Sequence, residues 1–151
     1  MSKSSFGCAL CAQDGGSLVW HSDKLRVVHV GEDGFPGTYR VIWNAHVAEF
    51  SELSAEERAE CMDAVACVER ALIEHLAPVK VNLAALGNQV PHLHWHVIAR
   101  FDWDTHFPNA FWGEPQRARD HDKEAALREH LGAVNAQIRG YLAKGEALQE
   151  D

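Results

Sequence analysis

The chain has 151 residues, 46% of them hydrophobic and 24% charged, which suits a single soluble domain with a real core. Its formal net charge of -8 argues against non-specific binding to nucleic acid or to a membrane surface, and no apolar run approaches the ~20 residues of a membrane span. The start, Met1-Ser2-Lys3-Ser4-Ser5-Phe6-Gly7, has no apolar stretch of signal-peptide length. A cytoplasmic location is expected, and there the four cysteines are not expected to form a disulfide framework.

Residues 1–16 read as an irregular start around Cys8-Ala9-Leu10-Cys11, a close pair better used for metal than for a disulfide. Short strands are expected at 17–20, 25–30 and 38–43, with a turn at 21–24. The breakers in Gly31-Glu32-Asp33-Gly34-Phe35-Pro36-Gly37 predict a loop. The period then changes. Ser54 and Glu57 form a capping box, and Cys61, Val65, Val68, Leu72 and Leu76 recur at helical spacing, which predicts a helix of five to six turns ending before Pro78. Cys61 and Cys67, six residues apart, should fall on different faces of it.

Residues 79–85 alternate as a strand, with Lys80, Asn82 and Ala84 on one face. Leu86-Gly87-Asn88-Gln89 reads as the turn of an antiparallel hairpin into the next strand. Residues 101–119 are aromatic and irregular. A last helix is expected from about Asp120, with Leu127, Leu131, Val134, Ile138 and Leu142 as its stripe; Gly132 and Gly140 should weaken it or mark close packing. No repeat, linker or low-complexity segment divides the chain, so the whole of 1–151 reads as one α+β domain.

The chemistry concentrates in Val90-Pro91-His92-Leu93-His94-Trp95-His96-Val97-Ile98. On a strand, alternate residues share a face, which would set His92, His94 and His96 in a row about 7 Å apart with Leu93, Trp95 and Val97 turned to a core. Core packing has no need of three imidazoles; proton, metal or phosphate chemistry does. A neutral imidazole is a good nucleophile towards phosphorus, and neighbouring histidines can bind non-bridging oxygens or help a leaving group depart. Backbone amides at Gly87-Asn88, the side chains of Asn82 and Gln89, and Arg100 could complete an anion site in this acidic protein. A catalytic metal is the alternative, with His29, His46 or a carboxylate completing the ligands, but no helical His-x-x-x-His or carboxylate pair supports it.

His92-Leu93-His94-Trp95-His96-Val97-Ile98 resembles the His-φ-His-φ-His-φ-φ signature of the histidine-triad (HIT) family of nucleotide hydrolases and transferases. Gly37-Thr38-Tyr39-Arg40-Val41-Ile42-Trp43-Asn44-Ala45-His46 is similar to the family's Gly-His-x-Leu-Val-Ile-Pro-Lys-x-His segment. Phe50-Ser51-Glu52-Leu53-Ser54 resembles the lead into its long helix, and Asn82 with Gly87-Asn88-Gln89-Val90 the lead into its triad. The resemblance covers residues ~8 to ~100 by motif alignment. It implies a HIT-like α+β fold with a five-stranded antiparallel sheet, one long helix and a C-terminal helix, often as a homodimer that joins two sheets.

The resemblance also implies roles. His94 would attack the α-phosphorus of a nucleoside phosphoramidate, dinucleoside polyphosphate or similar conjugate, forming a nucleotidyl-histidine that water hydrolyses. His92 would orient His94, and His96 would contact phosphate oxygens near the leaving group. Asn82, Gly87, Asn88 and Gln89 would contact the substrate. Cys8, Cys11, His46 and His92 would hold a structural zinc of Cys₂His₂ type, and no redox cofactor is expected. The chain departs from the pattern at Trp43 and Asn44, which replace Pro-Lys, and at Val30, where an ungapped count places the acid that grips ribose hydroxyls; Glu32 or Asp33 would substitute if the loop shifts. Weak sugar discrimination follows. Beyond the resemblance, Phe107, Phe111 and Trp112 read either as core or dimer surface or as an apolar wall over the site, which would favour an amine or aromatic leaving group over a highly anionic polyphosphate. The expected partner is a small nucleotide, with no nucleic acid and no membrane. A different class remains open: a nucleotide- or zinc-binding module with little turnover.

Overall fold

Alternating β-branched and aromatic residues build five strands, which the computed structural model describes within residues 7–144. Residues 1–6, which include most of the stretch read for a signal peptide, and residues 145–151 lie outside the described residues. Strands β1 (Ser17–His21), β2 (Leu25–Glu32), β3 (Phe35–Trp43), β4 (Lys80–Ala84) and β5 (His94–Arg100) form one sheet in the order β1-β2-β3-β5-β4, with every neighbouring pair antiparallel. A short helix α1 (Ala9–Ala12) precedes them. The long helix α2 (Ala55–Leu76) joins β3 to β4, and α3 (His121–Arg128) and α4 (Leu131–Ala143) follow β5. The expected α+β fold is the one found.

The two faces of the sheet have different work. Leu25 and Val27, Tyr39, Val41 and Trp43, Val97 and Ala99, and Val81 pack on the apolar stripe of α2 in one core, joined by Val134 and Ile138 of α4. Residues one position along point the other way. There Val28 and Ile42 meet Leu10 of α1 in a second, smaller cluster. His94 pairs with Ile42 across the strands, so the histidines belong to this second face. The period of two thus separates a stability face from a chemistry face.

Helix α2 begins and ends as its sequence demands. The Ser54 hydroxyl accepts from the Glu57 amide at 3.1 Å, and the Glu57 carboxylate accepts from the Ser54 amide at 3.0 Å. Ala77, ahead of Pro78, closes the helix in the left-handed region at φ 47. Cys61 and Cys67 are both buried.

Three expectations are corrected. Residues 31–37 are mostly strand: β2 runs to Glu32 and β3 starts at Phe35, so only Asp33-Gly34, with Gly34 at φ +83, makes the turn. The remaining irregularity is a bulge between Val30 and Glu32, a device that absorbs Gly31 without ending the pairing. Between β4 and β5 the connection is nine residues, 85–93, since β5 forms only from His94. The C-terminal helix is two helices, broken at Glu129-His130. The glycines do not break it: an added β-carbon at Gly132 or Gly140 would meet nothing within 4 Å, so neither marks close packing.

Candidate active site and metal cluster

β5 places His94 and His96 side by side on the second face, with ring centroids 5.0 Å apart. Both line a cavity of about 770 Å³. Its walls are Leu10, Gln13 and Gly15 of the N-terminal segment, Gly87, Asn88 and Gln89 of the 85–93 connection, and Phe111 and Trp112 of the segment after β5.

The His94 Nδ1–H donates to the backbone carbonyl of His92 at 2.6 Å. That bond assigns the ring proton to Nδ1 and leaves Nε2 with a lone pair. Burial pulls the His94 pKa below the ordinary histidine value, against the opposing pull of that hydrogen bond, with the Arg40 charge adding to the depression. His96 is pushed down to about 4, first by burial and then by His94 and Arg40. Both imidazoles are therefore neutral at pH 7. His96 does not bring a standing positive charge to the site.

His92 lies just ahead of β5, and its imidazole turns away from the other two. Its Nδ1 sits 3.4 Å from Cys8 Sγ, 3.4 Å from Cys11 Sγ and 3.3 Å from His46 Nδ1; His46 Nδ1 is 3.2 Å from Cys11 Sγ. On its far side, His92 Nε2–H donates to the Trp43 carbonyl at 2.6 Å. The proton therefore resides on Nε2, and the Nδ1 lone pair points into the cluster. A tetrahedral zinc with Zn–S ~2.3 Å and Zn–N ~2.0–2.1 Å implies S···N edges of about 3.6 Å and N···N edges of about 3.3 Å. The N···N spacing meets that geometry, the three S···N spacings of 3.2–3.4 Å fall a few tenths of an ångström inside it, and the four donor atoms all lie within 4.8 Å of one another. The residues present fit a metal ion. The His92 carbonyl thus accepts from His94 while its own imidazole faces Cys8, Cys11 and His46.

Two expected site residues stand elsewhere. Arg100, expected to lend positive charge, is buried and forked onto Asp104 at 2.8 and 3.1 Å. Its remaining donors go to the Asn109 carbonyl at 2.7 Å and the Asn82 side-chain oxygen at 2.8 Å. Asn82 pairs with Ile98, and its carbonyl is committed to Arg100. It does not line the cavity that holds His94, whereas Gly87, Asn88 and Gln89 do. Gly87 takes φ +69, and no amide of residues 87–89 enters a backbone hydrogen bond among the described residues. Of the expected aromatic wall, Phe111 approaches His96 at 5.7 Å and Trp112 follows it, but Phe107 packs on the Arg100 guanidinium at 5.8 Å instead.

Sequence reasoning missed Arg40 and Arg26. Arg40 pairs with His96 across β3 and β5 and is the only charged residue lining the cavity among those described. Arg26 fastens the N-terminal wall: it donates to the carbonyls of Leu10 at 2.6 Å, Gln13 at 3.0 Å and Asp14 at 2.9 Å, and to the Asn44 side chain at 2.9 Å. The signal available was their alternation with apolar residues, Arg26-x-Val28 and Arg40-x-Ile42, which puts both on the chemistry face. Val30 packs against the Leu10, Val28 and Ile42 cluster. Of its substitutes, Asp33 faces Arg119 at 3.7 Å and Glu32 faces Arg40 at 4.0 Å.

Comparison with known proteins places this geometry. The family model described as HIT domain matches residues 13–103. A histidine triad protein from Bradyrhizobium japonicum is similar at 28% identity and TM-score 0.62, over 78% of this chain and 91% of that one. One from Marinobacter aquaeolei VT8 is similar in fold at 23% identity and TM-score 0.66, over 85% and 94%. A zinc-bound histidine triad family protein from Mycobacterium smegmatis is similar in fold at 21% identity and TM-score 0.61, over 91% and 99%. No curated protein matches the chain. With the triad strand, the five-stranded sheet and the family model in agreement, the chain belongs to the histidine triad (HIT) family.

Proposed function

We propose that the protein is a hydrolase or transferase acting at the α-phosphate of a nucleotide conjugate, with His94 as nucleophile. The observation that carries this reading is the 2.6 Å bond from His94 Nδ1–H to the His92 carbonyl, which fixes a neutral ring with its Nε2 lone pair beside a cavity large enough for a nucleotide. Nε2 attacks phosphorus, the bond from phosphorus to the leaving group breaks, and a nucleotidyl-histidine forms. His96, neutral and holding one N–H and one lone pair, hands a proton to the departing atom and recovers one from the attacking water. Water oxygen then bonds to phosphorus, the P–N bond breaks, and a nucleoside monophosphate leaves. The amides of Gly87, Asn88 and Gln89 supply donors to the phosphate oxygens.

Cys8, Cys11, His46 and His92 would hold a structural zinc that cross-links the N-terminal segment to the sheet and takes no part in the displacement. The leaving group would lie against Phe111 and Trp112, which favours an amine or aromatic group over a polyphosphate. The lack of an acid at Val30 predicts that a deoxyribose conjugate is cleaved nearly as well as the ribose one. Edge strand β4, with Leu83 half exposed, supports a homodimer joined through that edge. The test is mass spectrometry after mixing with adenosine phosphoramidate. A transient adduct on His94 is expected. Binding without any adduct or turnover would favour a binding module instead.

A further inference from the structure

Arg40 stands apart in this cavity. It is the sole charged residue among those that line it, in a protein of net charge -8. Its guanidinium is poorly satisfied: Nη1 reaches the Gly15 carbonyl only at 3.4 Å, Nη2 stops 4.0 Å from a half-exposed Glu32 carboxylate, and Nε is buried with no hydrogen-bond partner. A buried N–H of a cation without an acceptor is costly, and a ligand oxygen would supply what is missing. The contrast with Arg100 is sharp, since that guanidinium has each of its nitrogens committed.

Its place in the sheet says which part of a ligand it meets. On β3, Arg40 has His96 on one flank and Val28 of β2 on the other, and its tip reaches towards Gly15. The reacting phosphate has its own partners in His94, His96 and the amides of 87–89. The aromatic wall of Phe111 and Trp112 closes the cavity beyond His96. Arg40 therefore serves the side opposite the leaving group, over β2 and β3, where the nucleoside would lie. On that side the lining offers apolar Leu10 and uncharged Gln13, and the carboxylate nearest Arg40, that of half-exposed Glu32, stands outside the lining at 4.0 Å. The planar fork of Arg suits a phosphate in two-point contact.

We propose that Arg40 makes this site selective for a nucleotide that carries a second phosphate on its nucleoside part, as on a ribose 2′- or 3′-hydroxyl. The inference rests on the nucleotidyl reading above and names the substrate class for it. Calorimetric titration of the purified protein with adenosine 5′-monophosphate, its 2′,5′- and 3′,5′-bisphosphates and adenosine 5′-diphosphate tests it without requiring turnover. One ribose bisphosphate should bind at least about tenfold tighter than the monophosphate, as a charge-assisted fork predicts, while the 5′-diphosphate gains little. In Arg40→Met the ratio between bisphosphate and monophosphate should fall to near one, and Arg40→Lys should keep part of it. If the methionine variant fails to fold, the wild-type ratios and the lysine variant decide. A monophosphate that binds as tightly as both bisphosphates would overturn the proposal and leave the nucleotidyl reading intact. So would an equal gain from the 5′-diphosphate, or an unchanged ratio in Arg40→Met. Failure of every nucleotide to bind would overturn both.

Discussion

A single proton position decides what His94 can do. With Nδ1–H held by the His92 carbonyl, Nε2 is left with its lone pair before any substrate arrives. His94→Ala should lower turnover by at least about a thousandfold, because the covalent route is lost, while affinity for a monophosphate changes far less. Single-turnover assays beside calorimetry would check this, and near wild-type turnover in the variant would contradict the role. His96 makes a second, independent prediction. Its folded pKa of about 4 lies below the ordinary value of about 6.5, so between those two the unfolded chain binds the extra proton. Its contribution to stability is complete above pH 6.5 and is lost as pH falls towards 4. Urea midpoints should therefore drop between pH 7 and pH 5, and the drop should be smaller in His96→Asn. It should not vanish, because burial pulls His92 and His94 the same way.

At the scale of elements, the ends of α2 can be tuned in opposite directions. Ser54→Ala removes the cap on the Glu57 amide and should cost about 1 kcal/mol. Ala77→Gly relieves a left-handed residue at φ 47 and should stabilise by about 0.5–1 kcal/mol. Denaturant unfolding of the two variants reads both, and a loss in Ala77→Gly would contradict the account of the C-cap. These termini were legible in the sequence because caps are local. So were the histidine row and the pair Cys8 and Cys11, whose spacing is carried by a few adjacent residues. What escaped depends on register between distant strands. That Arg40 sits opposite His96 and that Asn82 is committed to Arg100 are both set by how β3, β4 and β5 slide against one another. The hairpin at Asp33-Gly34 was missed for a related reason: breakers mark where a chain turns but not how few residues the turn needs.

For the whole molecule, the sheet leaves β4 as an edge strand beside exposed Ile73, Val79 and Leu83. A homodimer is expected by light scattering at micromolar concentration, and Leu83→Lys should shift it towards monomer; a monomeric wild type would contradict that assembly. Purified protein should carry about one zinc per chain, lost in Cys8→Ser, with a lower unfolding midpoint after chelation. Metal analysis that finds none, with all thiols freely titrating, would remove the zinc.

The wall formed by Leu10, Gln13 and Gly15 is not part of the sheet it leans on. Arg26 ties it down at one place and the cysteine pair at another. Whatever presses that wall onto the sheet from outside and whatever fills the cavity from within then act on one shared equilibrium. Linkage makes such effects reciprocal: if a metal at Cys8 and Cys11 tightens nucleotide binding by some factor, nucleotide must raise the affinity for the metal by the same factor. Competition with a chromogenic chelator, run with and without adenosine monophosphate, would measure that factor directly. A value of one would mean that metal and nucleotide act on the wall independently.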